Sequence, residues 1–151
     1  DDCKITTQKS LAIIKSAYSN SSTHKNYFLK NTHHYYPNKK LYKLAIKKAK
    51  EKKIVITQKN VITTDNFYNR YLIDNLKQWG KNNIDLIDME TSIIFDIANY
   101  YKKEAISILI PYDMLYLKNR EIIHKLIPTQ NITELTNKMI LLGLEIINEL
   151  E

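Results

Sequence analysis

Apolar residues along this chain alternate between two spacings, and each switch of spacing marks an element. Leu11-Ala-Ile-Ile14 is a continuous apolar run of strand length, and the polar stretch Ser19–Lys25 behind it has loop composition. Residues 30–38 read as a second loop, with Pro37 and Asn38 leading into a helix. On that helix Leu41, Leu44, Ala45 and Ala49 share one face, while Lys39, Lys40, Lys43, Lys47, Lys48 and Lys50 mostly cover the other, a solvated face. The β-branched runs Ile54-Val-Ile56 and Val61-Ile-Thr-Thr64 are separated by Thr57-Gln-Lys-Asn60, which suits a hairpin or a tighter turn. Tyr71, Leu72, Leu76 and Trp79 return to helical spacing and stop at Gly80.

The most regular unit follows. Ile84–Ile87 reads as a strand, Met89–Lys102 as a helix with Ile93, Ile94, Ile97, Ala98 and Tyr101 inward, and Ala105–Pro111 as a second, nearly continuous apolar strand. Such a βαβ unit is right-handed, so its strands are expected to be parallel and to release Asp88 and Asp113 from one sheet edge. From about Thr133 to Leu150 a helix carries Ile132, Leu135, Met139, Leu142 and Ile146 on one stripe, with Asn131 or Thr133 as its cap. With no repeat, linker or change of composition, residues 1–151 read as a single domain of the α/β class.

Acidic residues fall where strands hand over to loops or helices. Asp65 follows Val61–Thr64, Asp88 and Glu90 follow Ile84–Ile87, and Asp113 follows an apolar run closed by Pro111-Tyr112. Carboxylates at neighbouring strand ends are how an α/β sheet furnishes a pocket. Asp88 can cap the amides of the next helix, and Glu90 can either favour the helix dipole or offer two acceptor oxygens to vicinal hydroxyls. Burial and neighbouring carboxylates would raise the pKa of Asp113, which suits a general acid. Phe67 and Tyr68, beside Thr63, Thr64 and Asp65, make a platform for a heterocyclic base, although Phe67 equally fits a core position.

Charge changes this picture little. The chain has 23 Lys+Arg against 16 Asp+Glu, a net charge of +7, yet its only arginines are Arg70 and Arg120. Arginine's planar fork is what phosphate and base-edge readers favour, so nucleic acid is not an expected partner, and the lysine excess beside abundant Ile, Asn and Tyr reflects codon preference. Cys3 stands alone, which excludes an internal disulfide, offers no metal-ligand spacing and fits a reducing cytoplasm. No apolar run approaches the roughly 20 residues of a membrane helix. His24, His33 and His34 are expected in a solvent-facing loop and His124 on a helix surface, with no metal site among them.

Taken in order, Thr63-Thr-Asp-Asn-Phe-Tyr68, Ile87-Asp-Met-Glu-Thr91 and Ile108-Leu-Ile-Pro-Tyr-Asp113 resemble the nucleoside phosphorylase superfamily of purine and uridine phosphorylases, with Ser21–Tyr27 as a weaker upstream match. The resemblance implies a three-layer α/β fold with a mixed, largely parallel central sheet flanked by helices, here incomplete at its N-terminal side. It implies that Glu90 grips the ribose hydroxyls, Met89 lies against the sugar, Phe67 stacks on the base, Thr23 meets phosphate or ribose, and Asp113 is the catalytic acid at the purine. The implied reaction is phosphate-dependent cleavage of the N-glycosidic bond of a purine nucleoside. Inorganic phosphate is its co-substrate, with no other cofactor, in a homo-oligomer that binds neither nucleic acid nor membrane.

Departures from the family pattern leave alternatives open. Ser19 stands where an arginine for phosphate is expected, Ser22 replaces a glycine, and Tyr112 replaces a serine. A glycine-rich phosphate turn has no counterpart in the sequence, so the chain is expected to be a fragment or a degenerate relative. A phosphate-independent nucleosidase and a nucleoside-binding or scaffold module without catalysis are the competing readings.

Overall fold

The computed structural model describes residues 10–23, 33–68, 70–118 and 121–151. Cys3, His24 and Arg120 lie outside the described residues. In chain order the elements are β1 (Leu11–Asn20), β2 (His34–Tyr35), α1 (Lys39–Glu51), β3 (Ile56–Thr64), α2 (Leu72–Lys81), β4 (Leu86–Asp88), α3 (Thr91–Tyr100), β5 (Ile108–Leu109), β6 (Asp113–Lys118), β7 (Glu121–Leu126) and α4 (Thr129–Asn148). One sheet has the order β2-β1-β3-β4 with β5 also on β1, and β6 pairs with β7 separately.

The sheet is mixed and flanked by helices. β3 and β4 are parallel, whereas β2 and β5 are antiparallel to β1. Cross-links between Ser16 and Asn60 and between Ser21 and Asp65 share a separation of 44 residues, a constant offset that only parallel strands give. Leu11–Ile14 and Val61–Thr64 are buried at every consecutive position. Because successive side chains point to opposite faces, both faces of these strands must be covered.

By density of contacts the chain divides into two compact units. The first comprises Ile14–Tyr42 and Gln58–Ser107. Within it β1 continues through Lys15–Asn20, beyond the apolar run that marks its start, because the polar Ser16 is satisfied by Asn60 Oδ1 at 2.6 Å. The turn expected at Thr57–Asn60 is instead continuous strand. Asn60 donates its amide to Asp85 Oδ2 at 2.9 Å and its Nδ2 to the Asn83 carbonyl at 2.8 Å, so partners on both flanks hold it extended. The expected loop around residue 34 forms the short edge strand β2, and His34 stacks on Tyr18 with ring centroids 4.0 Å apart instead of facing solvent.

Helix α3 departs most from its sequence pattern. Its buried residues are Thr91, Ser92, Phe95 and Asp96, while Ile94, Ile97 and Tyr101, expected inward, are 49, 41 and 63 % exposed. Two hydrogen bonds set this rotation: Thr91 N–H donates to Asp88 at 3.0 Å and Ser92 N–H donates to Thr63 Oγ1 at 2.9 Å. Tying residues 91 and 92 to the sheet turns the helix about one residue away from its most apolar stripe.

The second unit comprises Lys43–Thr57, Ile108–Glu151 and the segment ending at Ile13. Here β5 pairs with Ala12 and Ile13 of β1 in antiparallel register, not parallel to β4, so the expected βαβ unit does not form and β5 runs toward the amino end of β1. The buried stripe of α4 is Leu135, Leu142 and Ile146, as its spacing predicts. The helix starts earlier than expected, at Thr129: the Pro128 carbonyl receives the Asn131 amide at 2.9 Å, and neither Asn131 nor Thr133 is the cap. His124, expected on a helix, lies in β7.

Lysines of α1 are not all solvated. The Lys48 side chain is only 12 % exposed and, with Lys47, binds Glu149 just past the end of α4, while Lys52, just past α1, binds Glu145 of α4 at 2.5 Å. The hydrogen bond to Glu149 raises the Lys48 pKa, and the hydrogen bonds from Lys48 and Lys47 lower that of Glu149.

Candidate functional site

The register of β3 on β4 places Thr63 opposite Asp88, so the segments beginning at Asp65 and Met89 leave from the same sheet edge. Parallel strands present their carboxyl ends together, and that edge is where an α/β sheet holds a ligand. Phe67, Met89 and Glu90 all follow from these two strand ends. Thr23 follows from the third, at the end of β1.

Two carboxylates fasten this edge. Asp65 accepts from Ser21 Oγ through Oδ1, and from the Ser22 amide and hydroxyl through Oδ2, both at 2.7 Å. The Thr23 amide then donates to Ser21 Oγ at 3.1 Å, so the three residues after β1 are folded around one side chain of β3's exit loop. Asp88 accepts from Thr63 Oγ1 at 2.7 Å and from both the amide and the hydroxyl of Thr91. It thus satisfies a free amide at the start of α3, the capping role read from the sequence, and sets the start of the helix that Glu90 precedes.

Around these clamps the expected ligand groups are arranged openly. Glu90 and Met89 are exposed, and Glu90 accepts from the Met89 amide at 3.2 Å. Phe67 is half-buried and meets Tyr68 edge-on, centroids 4.9 Å apart.

A cleft of about 590 Å³ opens beside them, lined by Asn20, Thr64, Asp65, Asn66, Tyr68, Arg70 and Tyr71. It is broad and open, and Thr23, Phe67, Met89 and Glu90 are not among its described lining residues. Arg70 lies over the Tyr71 ring, its guanidinium carbon 4.6 Å from the centroid. Sequence reasoning leaves Arg70 at the surface, places Tyr71 only on a helical face with Leu72, Leu76 and Trp79, and does not single out Asn20 or Asn66. The available signal was position: all lie within a few residues of Asp65 or at the end of β1.

Asp113 belongs to the other unit. It is the half-buried first residue of β6, opposite Leu126 of β7, and the Ile127 amide donates to the Tyr112 carbonyl at 3.1 Å just outside that pair. Among the described residues no cluster of His, Cys, Asp and Glu is suited to a metal ion.

Comparison with known proteins places this geometry in a family. The sequence pattern of the Phosphorylase superfamily matches residues 9–144, and the chain belongs to that superfamily. Purine nucleoside phosphorylases of the DeoD type from Thermoanaerobacter sp. (strain X514) and Thermoanaerobacter pseudethanolicus are 38 % identical to it over 76 residues, half of this chain and 32 % of theirs. Among solved structures, purine nucleoside phosphorylase from Toxoplasma gondii in complex with immucillin-H superposes with a TM-score of 0.64 at 24 % identity, over 71 % of this chain and 43 % of that one. A futalosine hydrolase mutant from Helicobacter pylori superposes with a TM-score of 0.66 at 10 % identity, over 97 % of this chain and 62 % of that one. These superpositions carry the fold. The chain spans about a third of the length of the curated relatives it matches.

Proposed function

We propose that this chain carries the nucleoside-binding edge of a pentosyl-transferring enzyme that cleaves the N-glycosidic bond of a purine nucleoside with phosphate as acceptor. The observation that carries the reading is the shared exit of Phe67, Met89 and Glu90 from two parallel strand ends within the superfamily match. Glu90 offers two oxygens to the ribose hydroxyls, Met89 packs on the sugar, and Phe67 stacks on the base. Thr23 meets phosphate or ribose at the end of β1.

In this reaction the bond from the anomeric carbon to the base nitrogen breaks with its electron pair leaving on the base. Asp113 is assigned, by family resemblance, the proton that neutralises the departing purine; such acid assistance is worth about 10²–10⁴-fold. The ribosyl centre becomes oxocarbenium-like and is captured by a phosphate oxygen.

Ser19 favours a second reading. A hydroxyl in place of the expected arginine removes a full charge and the bidentate fork that recognises phosphate. Water then takes the place of phosphate, and the enzyme is a nucleosidase.

The test is incubation with inosine, adenosine or uridine, with and without phosphate, following free base. Release that requires phosphate and disappears in Glu90→Ala supports phosphorolysis. Equal release in both buffers selects hydrolysis. Nucleoside binding without release in either buffer leaves the non-catalytic binding module, and absence of binding overturns the proposal.

A further inference from the structure

We propose that Asp65 is the positioning residue of the site: its carboxylate holds Ser21, Ser22 and Thr23 in the one arrangement that presents the end of β1 to the ligand. The inference rests on the nucleoside reading above and assigns Asp65 no contact with the reacting atoms. Both carboxylate oxygens are engaged, Oδ1 by Ser21 Oγ and Oδ2 by the Ser22 amide and hydroxyl at 2.7 Å. Ser21 passes the constraint onward by accepting the Thr23 amide at 3.1 Å, while its own amide donates to Ser19 Oγ at 3.2 Å. One acidic side chain therefore holds Ser21 and Ser22 directly and the Thr23 amide through Ser21.

The location explains why a side chain does this work. β1 ends at Asn20 and β3 at Thr64, so residues 21–23 lie beyond the last rungs of the ladder and have no strand partner to hold them. Asp65 is separated from Ser21 by the same 44 residues that separate Asn60 from Ser16, and so continues the register as a side-chain rung. Hydrogen bonds to a carboxylate are roughly twice as strong as those between neutral groups. The Ser22 hydroxyl, where the family pattern has glycine, adds one of these bonds. The substitution is therefore built into the clamp instead of obstructing it.

Asn at position 65 keeps the size but replaces one acceptor oxygen with a donor. That NH₂ cannot accept from the two donors of Ser22, and facing Ser21 Oγ it donates only as a neutral amide, so in either orientation the clamp loses its charge-assisted bonds. Asp65→Glu keeps both acceptors on a longer stem.

Two measurements on the full chain separate this proposal from the reading beneath it. The first is amide hydrogen exchange at Ser22 and Thr23 in the unliganded protein. Protection in wild type, loss of it in Asp65→Asn and partial recovery in Asp65→Glu are expected, with amides in the middle of β3 unchanged. The second is titration with inosine, for which Kd is expected to rise about tenfold in Asp65→Asn and to recover in part in Asp65→Glu. Equal exchange in wild type and Asp65→Asn overturns the clamp, and so does unchanged inosine affinity in a variant whose exchange has increased. If wild type binds no nucleoside, the functional reading fails, and with it the ligand-presenting role of Asp65, even where exchange shows the clamp itself.

Discussion

His34 shows how one side chain acquires properties its neighbours in sequence do not announce. Its ring stacks on Tyr18, its Nδ1 meets Tyr36 Oη at 3.1 Å, and its Nε2 is buried without a hydrogen-bond partner among the described residues. Burial lowers its pKa from the ordinary 6.5, because the charged imidazolium loses more hydration than the neutral ring. With the folded value below the unfolded one, the folded chain binds fewer protons in the interval between them. Stability is therefore unaffected above about pH 6.5 and falls as pH drops through that interval. Thermal midpoints of wild type and His34→Phe, compared from pH 8 to pH 5, should show wild type losing ground to the variant as the pH falls. A constant difference across that range would contradict the assignment. By their position in the sequence, His33 and His34 share one expected loop environment. Only the pairing of Tyr18 with His34 in β2 separates them.

At the scale of elements, α3 is where the hydrophobic pattern and the packing disagree. Ile93, Ile94, Ile97 and Tyr101 make the most apolar stripe, but the sheet-facing side carries Thr91, Ser92, Phe95 and Asp96. Hydrophobic burial is roughly proportional to area and has no direction, whereas the bonds from Thr91 and Ser92 to Asp88 and Thr63 hold only at one rotation. Directional bonds at the helix start decided the face. Phe95→Ala, which empties a site only 1 % exposed, should cost about 3–5 kcal/mol in denaturant unfolding. Ile94→Lys should change stability by no more than about 0.5 kcal/mol, as is usual on a surface. The opposite ranking would restore the face read from periodicity. Helix α4 agrees with its pattern: Pro128 precedes it and no side-chain cap is formed, so no such bond at its start opposes the apolar stripe, and the ion pairs of Glu145 and Glu149 lie toward its far end.

At the scale of the molecule, function depends on groups that the chain gathers from distant positions. Residues 21–23, 63–67 and 88–91 converge because three strands run in parallel with fixed registers. A nucleoside bound at that edge stabilises the folded state by mass action, about 2.7 kcal/mol at a concentration one hundred times Kd. Inosine should accordingly raise the thermal midpoint of wild type and leave that of Glu90→Ala where it was. An equal rise in both would remove Glu90 from the site. The chain matches 32 % of its curated relatives' length, so this shift measures what the present residues bind by themselves.

The amino-acid sequence alone determined the α/β class, the stripe of α4, the capping role of Asp88 and the motifs that mark the superfamily. Each depends on residues close together in the chain, or on motifs that keep their identity wherever the strands lie. The tertiary structure decided that β5 pairs antiparallel with β1, that Thr57–Asn60 is strand instead of turn, and that α3 buries Phe95. It also decided that Asp65 holds the end of β1. Most of those outcomes rest on hydrogen bonds between residues distant in the chain, such as Thr63 with Asp88, Ser21 with Asp65 and Ile14 with Ser107, and no local spacing of apolar and polar residues encodes which of those partners will meet.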